Sequence, residues 1–450
     1  MIGLQTVKEV LSVDIAISTP MAEALELWTQ IYENRAPWVS DANVYSLNLG
    51  VAIANEIARA TTIEMEVEID GSPRADFLQE QFQRVMKRIR EQVEFGCAKG
   101  GLVMKPYIYN DRIYIDFVQA DQFFPVKFDP DGYLIDCVFV DQRQIGDSYY
   151  TRLEYHQSID NGYIITNKAY RSTDSSLLGT EIALEEFEEW SDILPQAMIT
   201  NVEQPLFAYF KYPMANQIDV TSALGVSCYS RATELIEQAD KIWSNFLWEL
   251  DSAQRALYVD MLAFGLDDEG RPLLPTKRLF RTLDTGGSAE AFFEEWSPDI
   301  RQEDLLKSLD AVLKKIEFTC GLAYGTISDP QTVDKTATEI KISRQRTYST
   351  IVDTQKALEE SLEQLFYAMD KWADILKIPA GEYEAVYEFD DSIIVDKDKQ
   401  WTQDLQLVGS AVMSKLEFRM RNFDETEDIA REALQRVDAE QSQMSILDEE

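Results

Sequence analysis

An α+β fold, with a β-rich block set between two helical stretches, is what the sequence predicts, and three observations predict it. Apolar residues recur at helical spacing up to residue 96 and again from about Thr221. Between Gly100 and about Ser172 the period drops to two, the spacing of antiparallel strands with one buried face. Turn chemistry punctuates that block at Asn110-Asp111, Asp129-Pro130-Asp131-Gly132 and Asp160-Asn161-Gly162.

Taken in order, residues 20–60 read as two helices broken near Pro37, with Trp28, Ile31, Ile53 and Ile57 among their apolar positions. A short strand, "TIEMEVEID", ends at Gly71. One amphipathic helix is expected over 75–96, with Leu78, Phe82, Val85, Ile89 and Val93 on one side and Gly96 as its stop. Five strands follow: "LVMKPYIY", "RIYIDFVQ", "YLIDCVFVD", "RLEYHQSI" and "YIITNKAYR". The run "EEFEEW" at 185–190 reads as a solvated helix face.

The helical period then returns in "ATELIEQADKIWSNFLWELDSAQRALYV", with Ile236, Ala239, Phe246, Leu250 and Leu257 on one stripe. Residues 258–296 interrupt it as a small irregular or β-rich insert. A second helix is expected from Ser297-Pro298, a cap followed by proline at the first helical position. After a polar loop, residues 338–376 read as one helix of roughly 58 Å at 1.5 Å per residue. Its second half carries a regular stripe of Ile351, Leu358, Leu362, Leu365, Met369 and Trp372; its first half carries Lys341, Arg344 and Arg346 instead. An acidic strand, "YEAVYEFDDSII", leads to a C-terminal helical segment with Thr426 as a cap and a frayed tail, "QSQMSILDEE".

At 450 residues the chain has room for two to four domains of about 100–200 residues each. Its 42 Lys and Arg against 80 Asp and Glu give a formal net charge of −38. Such a surface repels phosphate and anionic lipid, which argues against tight gripping of DNA by a basic patch, though not against DNA sliding past. The four cysteines, Cys97, Cys137, Cys228 and Cys320, form no CxxC pair and read as reduced thiols. The N-terminus has Lys8 and Glu9 within its short apolar stretch, so no signal peptide is expected, nor any membrane span.

Catalytic chemistry finds little support. The single histidine, His156, falls in a strand and reads as structural; no GxSxG, Walker A, GxGxxG or HExxH motif is present, and no cofactor or metal is expected. "DPDG" at 129–132 lacks the spacing of a calcium loop and reads as a turn. Acid pairs of glycosidase type are open to any chain with this many carboxylates. The basic residues after the polar loop have two readings: solvated charges paired with Glu339 and Asp353, or contacts to nucleic acid.

The order helix, insert, helix, loop, long helix, hung on an α+β first half, resembles the portal proteins of tailed double-stranded-DNA phages. Several stretches resemble the branch found in siphophages of Gram-positive hosts: "GCAKGGLVMKPYIYNDRIYIDFVQADQFFPVKFDPDGYLIDCVFVD", "LEYHQSIDNGYIITNKAY", "PLFAYFKYPMANQIDVTSALGVSCYSRA", "FDDSIIVDKD" and "VMSKLEFRMRNFDETEDIAREAL". The resemblance runs from about residue 20 to 440. It implies a wing over 1–223 with a wing strand in 377–397, stem helices in 224–257 and 297–322, and a clip in 258–296. It further implies a tunnel loop at 323–338, a long helix from channel to wing at 339–376, and a crown at 398–450, shorter than in some relatives.

By that resemblance Ser328, Asp329, Gln331, Thr332, Asp334 and Lys335 would face a DNA channel, and Lys341, Arg344 and Arg346 would touch phosphates in passing. In the clip, Lys277, Arg278 and Arg281 would meet an acidic partner. The implied protein is no enzyme but a ring of self, about twelve copies carrying roughly −450 formal charges in all. It would stand at a capsid vertex of the virion, assembled in the host cytoplasm. Its partners would be the terminase large subunit, a head-to-tail adaptor, the major capsid and scaffolding proteins, and double-stranded DNA passing without sequence readout. Two alternatives stay open: a virion structural or adaptor protein without a channel, and an acid-pair hydrolase.

Overall fold

The computed structural model describes residues 3–41, 43–63, 65–160, 162–253, 256–260, 280–283, 293–296, 299–329, 337–389, 397–410, 412–423, 425–427 and 429–437. They fall into two compact units, 1–388 and 389–450.

The first unit opens with α1 (Leu4–Leu11), α2 (Thr19–Tyr32) and α3 (Leu49–Thr62). The two helices are broken near Pro37 as expected: α2 ends ahead of Asn34, at φ +58°, and Pro37 opens a short 3-10 turn, Pro37–Ser40, where its missing N–H is not needed. After β1 (Met65–Asp70) come α4 (Pro73–Met86) and α5 (Ile89–Lys99), where the sequence predicts one helix. The chain leaves helical geometry at Arg88, with φ −117°, and the two pieces take different partners: α4 lies on β1, α5 on α3 and on the strand after it. Gly96 is therefore inside α5 rather than its stop. A Cβ there would stand 2.7 Å from the Phe210 ring, so glycine is present for close packing. The stop is Gly100, at φ +87°.

The β block divides into two sheets. β2 (Gly101–Tyr109) and β3 (Arg112–Gln119) form a hairpin across Asn110-Asp111, both at positive φ as a two-residue turn requires. β4 (Phe123–Phe128), β5 (Leu134–Ile145), β6 (Ser148–Ile159), β7 (Gly162–Ser172), β8 (Thr180–Ile182) and β9 (Gln196–Thr200) make the second, in order β4-β5-β6-β7-β8 with β9 also on β7. β10 (Ala208–Lys211) returns to the far side of β2. Period-two reading misses β4, whose "FFPVKF" does not alternate. Its Pro125 is accommodated because β4 lies at the sheet's edge, where a missing N–H breaks no ladder. "DPDG" is a turn, as expected: Asp129 closes it onto Tyr133.

The "EEFEEW" run is a correction. It forms two short 3-10 turns, with Phe187 and Trp190 buried and the glutamates exposed. The two rings lie tilted against each other, 4.2 Å between centres, and pack against Ala169 and Leu184, so a two-residue aromatic anchor outweighs the charge pattern.

The helical half begins with α6 (Thr233–Ser252). Leu257, expected on its stripe, lies instead in β11 (Ala256–Asp260), which pairs parallel with β12 (Phe280–Leu283) and antiparallel with β13 (Phe293–Trp296). α7 (Gln302–Thr319) starts after Arg301, later than the Ser297-Pro298 cap, which lies outside the described residues. α8 (Ala337–Ile375) is 39 residues long, and Ile351, Leu358, Leu362, Leu365 and Met369 are all buried along it. β14 (Glu384–Phe389) pairs with β1.

The second unit holds α9 (Lys397–Gly409), α10 (Lys415–Phe423) and a further helical stretch at 429–437. Trp401 meets Phe418 and Phe423 edge to face at 5.1 and 5.5 Å. Among its described residues only Ala430 and Asp404 are buried, while Leu405, Val412, Phe423 and Ile429 are exposed. The tail after Val437 lies outside the described residues.

Candidate functional site

α6 and α7 pack against each other as a helical pair joined through the three-stranded insert. At the neck of the insert Glu249, in the last turn of α6, receives the Arg301 side chain twice, at 3.1 and 2.8 Å, and its backbone N–H at 3.0 Å. Those hydrogen bonds hold the Glu249 carboxyl below its ordinary range. Entry to and exit from the insert are thereby clasped.

The polar loop leaves the end of α7 and at once folds back on it. Glu317 is fully buried, and its carboxylate accepts from the backbone N–H groups of Gly325, Ile327 and Ser328 and from the Ser328 hydroxyl. On the returning side, the Arg346 guanidinium lies 3.9 Å from the centre of the Phe318 ring, and Thr350 donates to the Gly321 carbonyl at 3.2 Å.

The expected site residues separate accordingly. Ser328 is 3% exposed with its hydroxyl on Glu317, so its side chain is turned inward rather than open; the physical reason is the unmet acceptor capacity of a buried carboxylate. Asp329, next along, is exposed. Gln331, Thr332, Asp334 and Lys335 lie outside the described residues. Lys341 and Arg344 fall in the first turns of α8, and Arg346 is half-buried on Phe318. Arg281 belongs to β12, while Lys277 and Arg278 lie outside the described residues.

Sequence reasoning passes over three polar centres. Arg74, 1% exposed, reaches the end of α8 and donates to the carbonyls of Asp370, Ile378 and Pro379 and to the carboxylates of Asp370 and Asp374. A guanidinium fork there meets the negative end of a long helix together with carbonyls of the segment just beyond it. Between the two sheets, Lys105 of β2 contacts Glu154 of β6 at 2.7 Å, and Glu154 contacts His156 at 2.6 Å and Arg152 at 3.1 Å. Burial alone would raise the Glu154 pKa, but Lys105, His156 and Arg152 together hold it well below the ordinary value. His156, whose other ring nitrogen meets the Tyr163 hydroxyl at 3.1 Å, is the structural histidine the sequence predicts. Third is Glu317 itself; the one sequence signal for it is a glycine and a serine, Gly325 and Ser328, placed just after the helix that carries it.

A cleft of about 470 Å³ lies between the β4–β5 turn and α8, lined by Asp129, Tyr133, Glu203, Glu360, Glu363 and Tyr367 among others. Among the described residues its lining carries no histidine, cysteine, lysine or arginine. All four cysteines are buried and free, and burial pushes each thiol upward. Among the described residues no cluster of three or more His, Cys, Asp or Glu side chains is placed to hold a metal, and no helix is long and apolar enough to cross a membrane.

Two solved structures are similar to the chain. One is described as "Neck of native GTA particle computed with C12 symmetry", at 10% identity and TM-score 0.44 over 93% of this chain and 99% of that one. The other is described as "Neck of empty GTA particle computed with C6 symmetry", at 10% identity and TM-score 0.45 over 92% and 97%. No curated protein sequence matches. The family described as phage portal protein, SPP1 Gp6-like, matches residues 61–445. With a match over so much of its length, the chain belongs to the SPP1 Gp6-like phage portal family, whose members are structural components of the virion.

Proposed function

We propose that the chain forms a ring of about twelve copies at one capsid vertex, the channel through which double-stranded DNA is packaged and later ejected. In this reading it docks the terminase large subunit during packaging and a head-to-tail adaptor afterwards, within a shell of major capsid protein built on scaffold. The observation that carries it is the run of α6, three-stranded insert, α7, anchored polar loop and 39-residue α8, in a chain of the portal family. Residues 1–223 with a strand in 377–397 serve as wing, 224–257 and 297–322 as stem, 258–296 as clip, 323–338 as channel loop, 339–376 as the helix from channel to wing, and 398–450 as crown.

Net charge −38 per copy supports a channel wall that does not hold DNA. Asp329, Gln331, Thr332, Asp334 and Lys335 border the channel, while Ser328 anchors the loop behind them. Lys341 and Arg344 make passing phosphate contacts; Arg346, stacked on Phe318, adds its charge from a fixed position. The clip presents Lys277, Arg278 and Arg281 to an acidic partner.

Purified protein should give annular particles in electron micrographs, and the mass of the assembled species should set the copy number. Shortening the loop should spare rings and reduce the DNA packaged and held in heads. Replacing Lys341, Arg344 and Arg346 by Gln should reduce it in a salt-dependent way. Glu at 277, 278 and 281 should spare rings and weaken terminase or adaptor binding. Intact rings with normal DNA content in the loop and Gln variants would leave a virion protein without a channel as the better reading.

A further inference from the structure

The last turn of α7 grips both ends of the polar loop. Glu317 is 0% exposed. Its carboxylate accepts from Gly325 N–H at 3.1 Å, Ile327 N–H at 2.6 Å and Ser328 N–H at 2.8 Å on Oε1, and from the Ser328 hydroxyl at 2.9 Å on Oε2. Gly325, at φ +88°, lets the chain wrap its amides inward around the carboxylate. One residue on, Phe318 carries Arg346 on its ring and accepts from its Nη1 at 3.4 Å through the backbone carbonyl.

A carboxylate withdrawn from water without these donors would be strongly unfavourable, so the helix end and the loop base stabilise each other. A residue serving α7 alone would need no partners eight to eleven positions ahead. We propose that Glu317 is a positioning residue for the channel loop, fixing 325–328 to the end of α7 so that the chain beyond enters the channel from a set point and the loop base moves with the helix. This rests on the channel reading above. The Phe318–Arg346 contact does the same for the returning end.

The test uses the full chain carrying Glu317→Gln, and separately Ser328→Ala, which removes one donor and leaves the carboxylate. In Glu317→Gln an amide group turns toward donors, so amide hydrogen exchange at 325–328 should quicken by about tenfold or more. Exchange across α6 and α7 and the mass of the ring should stay as in wild type, while DNA held in heads should fall. Ser328→Ala should move the same readouts in the same direction by less, and it decides the matter if Glu317→Gln does not fold. Unaltered exchange at 325–328 would overturn the proposal. So would faster exchange throughout α7 and α8 with rings lost in Ser328→Ala as well, since the contact would then serve the fold only. Local loosening with normal DNA content overturns the positioning role; if the loop-shortened chain also packages normally, the channel reading is what has failed.

Discussion

Burial and hydrogen bonding act on His156 in opposite senses. Its ring is 1% exposed, and desolvation lowers its pKa against the pull of Glu154. The folded chain thus favours the neutral ring, while the unfolded chain takes up a proton near pH 6.5, the ordinary value. This residue's share of stability is complete above about pH 6.5 and declines as pH falls below it. His156→Gln should therefore shrink the difference in urea midpoint between about pH 7.5 and about pH 5.5. An unchanged difference would assign the acid limb to other groups. Glu154→Gln should cost about 3 kcal/mol in urea unfolding, because it removes the 2.7 Å partner of buried Lys105 and leaves it only the half-exposed Asp116 carboxylate at 3.9 Å. Arg74→Lys loses the fork that serves three carbonyls and two carboxylates and should cost about 2 kcal/mol or more.

Among the elements, α5 sets local preference against packing. By helix propensity alone, Gly96→Ala should stabilise by about 1 kcal/mol. The added Cβ, however, would stand 2.7 Å from the Phe210 ring of β10, and overpacking of that kind costs about 1–3 kcal/mol. The melting temperature of Gly96→Ala should fall. A rise would mean that α5 and β10 part more easily than their geometry implies. The same contest explains why one predicted helix became two, since α4 and α5 each turn an apolar face to a different partner.

Across the whole molecule the apolar surface is unevenly covered. The first unit buries most of its large apolar side chains among the described residues, yet Trp248 on α6 is 67% exposed. Among its described residues the second unit exposes Leu405, Val412, Phe423 and Ile429, Phe423 being part of a small aromatic cluster with Trp401. If α6 lines a copy-to-copy contact, Trp248→Glu should leave the circular dichroism spectrum intact and shift the sedimenting species from ring to monomer. Full-sized rings from that variant would move the contact away from this face of α6.

Much of this architecture is local, and local patterns can be read from a sequence. Helical and strand periods locate α3, α6, the buried half of α8 and the β2–β3 and β6–β7 hairpins, because the spacing of apolar residues along an element marks its buried face whichever element packs on it. The resemblance to portal proteins was likewise carried by contiguous stretches. What one dimension could not decide were contacts between distant segments: which of 80 acids would be withdrawn from water at Glu317, which basic residue would cap α8 from 296 positions away at Arg74, and whether Gly96 would stop a helix or pack within it. A glutamate at a helix end looks the same in sequence whether solvent or a returning loop meets it. Only the tertiary fold supplies the donors, and with them the energy that makes one carboxylate an anchor and leaves others on the surface.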